Sequence, residues 1–329
     1  EFVRDQRSQR MVCPTCRTPI PNSVLETNAH LRTTVGVVGF SGHGKTVYLT
    51  SLFSLLKRFS NYWPGYYFRS LDDYTNRIIY EQVPRFEQGE LPESTPANFP
   101  SPAMVHYHDL PRYGDAFVGY YDTAGEVFSE SAQIARAGFF VAHSDVVLFI
   151  ISIPDCKSAS LDEEMCRLLD TYILAANDQL NANLKASQRM VVIFSKGDLL
   201  LDKMGHRLRD WLVDGGKDWY ANTLEDRLAD LSIASLWTEE WLADRMGCRR
   251  FLNMAKDHFK EVRFTVVSAL GNEGEQGIDG LKPSPLRVLD PFLWLIDFAS
   301  RDQAPPPPPP KKGFLRRIFR RRKKKDQPE

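Results

Sequence analysis

The sequence contains no long apolar run. Although 43% of its 329 residues are apolar, no stretch approaches the roughly 20 uninterrupted apolar residues that span a bilayer. The first residues do not form the charged, apolar and small-residue series of a secretory signal. These absences predict a soluble globular protein, and the apolar content is enough for one large core or two modest ones.

Cysteine is scarce as well. An odd number of cysteines favours reduced thiols over a complete disulfide framework. The chain starts with Glu1 and Phe2 instead of Met, so we expect a fragment of a longer reading frame. The five cysteines are Cys13, Cys16, Cys156, Cys166 and Cys248.

The sequence has no net charge, because Lys and Arg together number 42 and Asp and Glu together number 42. This average hides a polarised distribution. Residues 311–325 contain ten Lys or Arg and no acid, whereas the chain before residue 311 holds 32 basic and 40 acidic residues. The sequence therefore predicts an acidic body with a strongly basic tail.

Residues 39–46, GFSGHGKT, match the phosphate-loop pattern G-x-x-x-x-G-K-[ST]. An apolar, β-branched run over residues 33–38 precedes them and a helical pattern follows, as this motif requires; a chance glycine-rich turn does not explain that context. Glycines let backbone N–H groups surround a phosphate, Lys45 reaches the β- and γ-phosphates, and Thr46 offers its hydroxyl to Mg²⁺. Nucleotide chemistry also favours a cytoplasmic location. The expected nucleotide contacts are Gly39, Ser41, Gly42, His43, Gly44, Lys45, Thr46 and Val47.

A second polar group follows the predicted strands Ala103–Leu110 and Ala116–Tyr121. The later strand runs into Asp-Thr-Ala-Gly-Glu, and Asp122 can hold Mg²⁺ through water. Gly125 can direct its N–H to a γ-phosphate, which a triphosphate has and a diphosphate lacks. This difference is what a nucleotide-dependent switch requires.

Residues suited to a guanine base come next, after a predicted buried strand at Val146–Ile153. The strand Met190–Phe194 leads into Ser-Lys-Gly-Asp, where Asp198 can accept from the two N–H donors of guanine and the Lys196 stem can cover the ring. Adenine presents an acceptor there instead, so we expect its rejection. The strand Arg263–Val267 ends in Ser-Ala-Leu, which offers a backbone N–H to the guanine O6. The expected base contacts are Lys196, Asp198, Ser268, Ala269 and Leu270.

These four motifs, in this order at strand ends, resemble the Ras-like GTPases of the translation-factor-related class. The resemblance implies an α/β P-loop NTPase fold over residues 33–303, with a mostly parallel six-stranded sheet, helices on both faces and helical insertions at about residues 60–101 and 199–260. It implies GTP or GDP with Mg²⁺ as ligands, Lys45 on the phosphates, Thr46 and Asp122 on the metal, and Gly125 in the second switch. The long insertions and the N-terminal C-P-T-C knuckle look more like the bacterial GTPases of this class, including the double-GTPase families, than like eukaryotic small GTPases.

Two positions depart from that family's pattern. Ser195 stands where the base motif has Asn or Thr, which keeps a hydroxyl but shortens the reach to the phosphate loop. Glu126 stands where the family has the Gln that orients the attacking water. A Glu with a raised pKa can serve as a base, repulsion from a triphosphate can move it away and leave slow turnover, and a solvated Glu is a third reading. The catalytic reading assigns hydrolysis to Lys45, Gly125 and Glu126.

The first insertion must supply the Thr or Ser of the first switch. Thr95 is our choice as an Mg²⁺ ligand, with Ser94 and Thr75 as competitors and an ordinary turn Thr as the alternative. The stretch Leu71–Val83 predicts a helix.

Each insertion also carries large or charged side chains of open role. In the first, Arg77 or Arg85 is either an arginine finger or a surface residue. The second predicts two helices whose tryptophans pack on the domain, and the rival reading is a partner-binding surface. These tryptophans are Trp211, Trp219, Trp237 and Trp241.

The N-terminal residues 1–32 predict a partial zinc-knuckle and linker segment. Cys13 and Cys16 form a C-P-T-C knuckle, which supplies half of a tetrahedral zinc site. We expect the other half upstream of this fragment. A redox CxxC is the alternative, but no thioredoxin-like βαβ pattern surrounds it.

The C-terminal residues predict a spacer and a tail. Residues 304–310 form a polyproline spacer, and residues 311–329 form a basic amphipathic tail. Each Lys or Arg near an anionic lipid surface contributes roughly 1 kcal/mol, which favours peripheral binding at the inner face of a membrane. The alternatives are a solvated tail and an acidic protein partner. Nucleic acid would also attract the basic run, but no other motif in the sequence supports nucleic-acid binding. The apolar residues of the tail are Phe314, Leu315, Ile318 and Phe319.

Together these patterns predict a GTP-binding molecular switch that hydrolyses GTP to GDP and phosphate with Mg²⁺, slowly without an activating protein. The alternative is a nucleotide-binding scaffold that hydrolyses little and recruits a partner to the membrane. An ATPase is a third possibility, which Lys196 and Asp198 oppose.

Overall fold

A seven-stranded mixed sheet forms the centre of the fold. The computed structural model describes residues 3–5, 11–12, 19–22, 25, 31–93, 102–129, 131–137, 139–158, 160–214, 224–271 and 282–303. Two short strands, β1 (Val3–Arg4) and β2 (Met11–Val12), pair with each other outside this sheet. The strands of the large sheet are β3 (Leu31–Val38), β4 (Tyr67–Ser70), β5 (Ala103–Leu110), β6 (Gly114–Asp122), β7 (Val146–Ile151), β8 (Arg189–Phe194) and β9 (Glu261–Val266).

The strand order is β4-β5-β6-β3-β7-β8-β9. Neighbouring strands from β6 to β9 are parallel, whereas β5 is antiparallel to both β4 and β6. The carboxyl ends of β3, β6, β7, β8 and β9 therefore meet at one edge of the sheet. In α/β proteins this edge is where ligands bind.

Helices cover both faces of the sheet. Single turns or short segments of 3₁₀ helix follow several strands, at Gly125–Ser129, Ile153–Asp155 and Gly197–Lys203. The described α-helices are α1 (Lys45–Arg58), α2 (Asp73–Arg77), α3 (Val83–Glu87), α4 (Ser131–Ala137), α5 (Phe139–Ala142), α6 (Leu161–Leu174), α7 (Leu184–Ser187), α8 (His206–Asp214), α9 (Leu224–Asp244), α10 (Arg249–His258) and α11 (Asp290–Gln303).

The central strand β7 shows why the sheet needs both helical layers. All six of its residues are buried, because a parallel strand between two layers has no solvent-facing side. Alternate side chains enter opposite cores: Phe149 packs in the cluster that includes α6 and α10, and Leu148 packs in the one that includes α1 and α11. Truncating a side chain such as Phe149 to Ala would cost about 3–5 kcal/mol of stability.

The sheet has seven strands, so the prediction of six was wrong by one edge strand. The additional strand, β4, lies inside the first insertion and pairs antiparallel with β5, with Tyr67 opposite His108. Four residues are too few for a clear alternating pattern. The predicted strand at Val146–Ile153 ends two residues earlier, because Pro154 lies in a 3₁₀ turn.

The predicted helix Leu71–Val83 is confirmed but is not regular. Asp72 caps α2 by accepting a hydrogen bond from the Thr75 N–H at 2.8 Å. A π-helical segment, Ile78–Gln82, then joins α2 to α3. Pro84 explains this irregularity, because its ring lacks an N–H and displaces the preceding turn.

The second insertion packs its tryptophans against the domain, as predicted for those that the structure describes. The Trp241 Nε1–H donates to the Lys203 carbonyl at 2.8 Å and its ring meets Phe194 of β8 edge to face. Trp211 and Trp237 join α8 to α9, with ring centroids 6.4 Å apart. Trp219 lies outside the described residues.

Candidate functional site

The phosphate-loop residues connect β3 to α1 at the carboxyl edge of the sheet. Gly42 and Gly44 have φ angles of +80° and +84°, a left-handed conformation that glycine adopts without strain. A Cβ on Gly39 would lie 2.3 Å from the Ile150 carbonyl oxygen of β7. The sequence therefore places glycine where no side chain fits.

Lys45 begins α1 and is only 6% exposed. Its ammonium donates to the Gly39 carbonyl at 3.0 Å and to the Phe40 carbonyl at 2.9 Å. Burial lowers the pKa of Lys45, and the carboxylates of Asp122 and Glu126 oppose that shift. An ammonium has three donors, so Lys45 can keep these carbonyl bonds and still donate to a phosphate.

Thr46 and Asp122 meet although they lie on different elements. The Thr46 hydroxyl at the start of α1 donates to Asp122 Oδ2 at the end of β6, at 2.9 Å. Asp122 is 7% exposed. A hydroxyl and a carboxylate are hard oxygen donors of the kind that Mg²⁺ takes, so this pair fits the metal that the motifs imply.

A cleft of about 240 Å³ opens beside these residues. Pro92 and Glu93 contribute to its wall at the point where the first insertion approaches the loop. The phosphate-loop residues lining the cleft are Ser41, Gly42, Gly44, Lys45, Thr46 and Val47, and Ala124, Gly125 and Glu126 complete it.

The base motif after β8 contacts the phosphate loop directly. The Ser195 hydroxyl donates to the His43 carbonyl at 2.8 Å, so the shorter side chain still reaches the loop. Lys196 adopts a left-handed conformation with φ of +55°. Its ammonium donates to Asp155 at 2.5 Å, and this contact fixes the end of the aliphatic stem.

Chain segments after β9 approach the same edge. The Ser268 backbone pairs with Leu286 in both directions, at 3.0 and 2.8 Å, and its hydroxyl accepts from the Gly271 N–H at 2.9 Å. The Ala269 carbonyl accepts from the Ser51 hydroxyl of α1 at 3.2 Å. Ser268 therefore shapes the turn, while Ala269 and Leu270 are partly exposed beside it.

The family model of Double-GTPase 2 matches residues 33–240, well over half of the chain. The chain belongs to the Double-GTPase 2 family. This match contains the phosphate loop, Asp122 and the base motif, and it ends before β9. No curated protein matches the chain.

In this Double-GTPase 2 domain, the residues after β6 pack closely against the backbone of the phosphate loop. A Cβ on Gly125 would lie 2.1 Å from the Ser41 nitrogen and 2.5 Å from the Phe40 carbonyl carbon, so only glycine fits this arrangement. Glu126 is exposed. A hydrogen bond with Ser41, followed by one with its own backbone, lowers the pKa of Glu126. A general base needs the opposite shift, and the catalytic role of Glu126 remains a prediction.

Sequence reasoning missed two supports of the GTPase site, both after β7. The Ser152 N–H donates to His43 Nδ1 at 3.1 Å, and burial lowers the pKa of His43 to about 4, which keeps the imidazole a neutral acceptor. Asp155 accepts hydrogen bonds from the Ser152 hydroxyl and from Lys196. Although partial burial acts to raise the pKa of Asp155, these two bonds lower it. The polar Ser-x-Pro-Asp turn at a strand end was the available signal.

The two candidate arginine fingers do not line the cleft, and other predicted site residues lie outside the described part of the chain. Arg77 and Arg85 are exposed, neither lines the cleft, and Arg85 lies 3.9 Å from Glu90. Thr95, the predicted ligand of the first switch, lies outside the described residues, as do Cys13 and Cys16 of the knuckle. Within the described ranges, none of the helices is long and apolar enough to cross a membrane.

Proposed function

We propose that the protein is a molecular switch that binds GTP with Mg²⁺ and hydrolyses it to GDP and phosphate. The observation that carries this proposal is the 2.9 Å hydrogen bond between Thr46 and Asp122 beside the buried Lys45. Lys45 and Thr46 come from the phosphate loop and Asp122 comes from a second motif 76 residues after Thr46. A nucleotide site with a metal and a second switch needs the two motifs at one place. Membership of a GTPase family supports the same chemistry.

Guanine selection is assigned to the base motif. Asp198 is partly exposed at the edge where the motif meets the loop, so its carboxylate can accept from the two N–H donors of guanine. The ion pair with Asp155 orients Lys196 so that its stem can cover the base. A backbone N–H of Ala269 or Leu270 would complete the recognition at O6.

Hydrolysis would depend mainly on positioning and charge. Lys45 and the loop N–H groups would stabilise the charge that develops on the bridging oxygen between the β- and γ-phosphates. When bound, Mg²⁺ neutralises phosphate charge, and Thr46 and Asp122 would hold it directly or through water. Glu126 would position the attacking water only after its hydrogen bond with Ser41 breaks. The need for this movement supports slow turnover without a partner.

A second candidate is a GTP-binding scaffold that hydrolyses little. The lowered pKa of Glu126 favours it, because an ionised carboxylate near a triphosphate is repelled and is a weak base. The two candidates share nucleotide binding and differ in turnover.

The deciding experiment measures binding and single-turnover hydrolysis of GTP beside ATP, with Mg²⁺. The variants are Lys45→Ala and Glu126→Ala, and the matched control is Lys57→Ala, an exposed lysine on the same helix. GTP-selective turnover that is lost in both variants and kept in the control establishes a GTPase that uses Glu126. Tight GTP binding without turnover points to the scaffold or to a switch that needs a partner for hydrolysis, and the absence of GTP binding refutes both candidates.

Peripheral membrane binding is the proposed role of the basic tail, which lies outside the described residues. Its support is the sequence, with ten bases between residues 311 and 325. Flotation with phosphatidylserine-containing and neutral vesicles tests it, and a chain that ends at Gln303, the last residue of α11, is the control. Binding to anionic vesicles only, lost in the control, is expected; equal flotation of both chains contradicts the proposal.

A further inference from the structure

Two histidines and an aspartate form a cluster on the hairpin of β5 and β6. His106 and His108 are two residues apart on β5, so their side chains leave the same face of the sheet. Asp115 lies on β6 near the turn. His108 Nδ1 is 3.2 Å and His106 Nε2 is 3.5 Å from Asp115 Oδ2. The proposed nucleotide site uses none of these residues.

The donor atoms have the spacing of metal ligands. At metal–ligand distances of about 2.0–2.1 Å, the ligands of a tetrahedral zinc ion lie about 3.3 Å apart. The two distances to Asp115 bracket this value. One ligand atom from each of the three residues lies within 4.8 Å of the others, which leaves a common point for one ion.

The surrounding structure holds the cluster in place. The Asp109 N–H donates to Asp115 Oδ1 at 3.1 Å, which turns Oδ2 toward the histidines. Asp109 itself has a φ of +49° at an irregularity in the β5–β6 pairing. The Tyr67 ring of β4 stacks on His108 with centroids 4.3 Å apart. Metal-binding side chains are commonly held in position by such contacts with neighbouring residues that do not bind the metal.

The cluster lies at the edge of the buried interior, with His106 shielded from solvent and Asp115 more open to it. The His106 side chain is 4% exposed, while those of His108 and Asp115 are 17% and 37% exposed. The more exposed side of the cluster leaves room for a water as a fourth ligand.

We propose that His106, His108 and Asp115 bind a divalent transition metal ion, with zinc as the best fit. Imidazole and carboxylate ligands suit zinc, whereas Mg²⁺ prefers oxygen alone. The ion would clamp the turn of the hairpin. The residues before Ala103 lead into the first strand of this hairpin and those after Asp122 follow its second strand. These are the two predicted switch segments. The bound ion would therefore fix the two strands from which both segments extend.

The test uses the full chain without a polyhistidine tag, with Cys13 and Cys16 replaced by Ser so that the knuckle thiolates cannot bind metal. After chelation, the protein is titrated with Co²⁺, whose visible absorption reports its ligands, and with Zn²⁺ by competition. The variants are Asp115→Asn, nearly equal in shape, and His108→Asn. His206→Asn is the matched control, because His206 is exposed and outside the cluster.

One equivalent of metal is expected in the parent and in the control, with affinity reduced about 100-fold or more in both cluster variants. Zn²⁺ should raise the thermal unfolding midpoint of the parent but not that of Asp115→Asn, because a ligand stabilises the protein only when it binds the folded state. Circular dichroism checks that the variants are folded. Absence of saturable binding in the parent, or equal affinity in a folded Asp115→Asn protein, overturns the proposal and leaves a hydrogen-bonded His–Asp–His cluster. Neither result depends on nucleotide binding.

Discussion

Replacing Gly125 by Ala is the sharpest perturbation of the proposed switch. The new Cβ would lie 2.1 Å from the Ser41 nitrogen and 2.5 Å from the Phe40 carbonyl carbon. Both neighbours are backbone atoms, so no side-chain rotation relieves the contact. The segment after β6 must retreat by roughly 1 Å from the phosphate loop to restore an ordinary separation.

The magnitude follows from the hydrogen bond that the retreat removes. If the Gly125 N–H donates to the γ-phosphate, that bond to a charged group contributes about 1.5–3 kcal/mol. Its loss should weaken GTP binding by roughly 10- to 150-fold. GDP lacks the γ-phosphate, so its affinity should change by about threefold or less. The affinity ratio of the two nucleotides is therefore the quantity to measure, by competition with a fluorescent guanine nucleotide.

Gly119, which lies on β6 just before this segment, supplies the matched control. A Cβ at that position meets no atom within 4 Å, so Gly119→Ala should leave both affinities unchanged. A Gly125→Ala protein with the GTP to GDP ratio of the parent would refute the assignment of Gly125 to γ-phosphate sensing. An equal loss for both nucleotides would instead mean that the substitution damages the phosphate loop itself.

Three further predictions concern the base site and the sheet. Asp198→Asn should weaken GTP binding about 100-fold or more and favour xanthosine triphosphate in the same competition assay, because an amide matches the oxo group and N–H of xanthine. Ser195→Ala removes the bond to the His43 carbonyl, about 1 kcal/mol, and should weaken GTP and GDP about fivefold alike, with Ser195→Thr restoring both. The Arg189 hydrogen bond lowers the pKa of Asp302 to about 2. Since Asp302 is 41% exposed, we expect about 1 kcal/mol of stability above pH 4, lost as the pH falls through about 2, so urea unfolding of Asp302→Asn should differ from the parent at pH 7 and not at pH 2.

The sequence predicted the parts of the fold that long apolar patterns determine. Strands such as Ala103–Leu110 and Arg189–Phe194 are buried along almost their whole length, so their residue types are strongly constrained. The strand β4 was not predicted, because its residues alternate only between exposed and partly exposed and none of them is buried. Its pairing depends on the position of β5, which is not encoded in four residues.

The site, too, could be predicted where the information is local in the sequence and not where it depends on distant residues. Lys45, Thr46 and their glycines occur in one continuous motif with a fixed geometric reason for each residue. Asp155 and Ser152 support the base motif from another strand end. Their contacts with Lys196 and His43 arise only after the sheet brings β7 between the loop and β8.

These contacts divide the proposed nucleotide site into two parts with different roles. The Ser152 N–H bonds the His43 ring, the Ser195 hydroxyl bonds the His43 carbonyl, and Lys196 bonds Asp155, so the loop, the end of β7 and the base motif form one closed set of hydrogen bonds. None of these bonds involves Lys45 or Gly125, the residues that we propose to contact the γ-phosphate. The base side should therefore bind GTP and GDP alike. Discrimination then falls to the other side of the loop, where Gly125 lies against Ser41, which is why the nucleotide ratio should respond to Gly125 and not to Ser195.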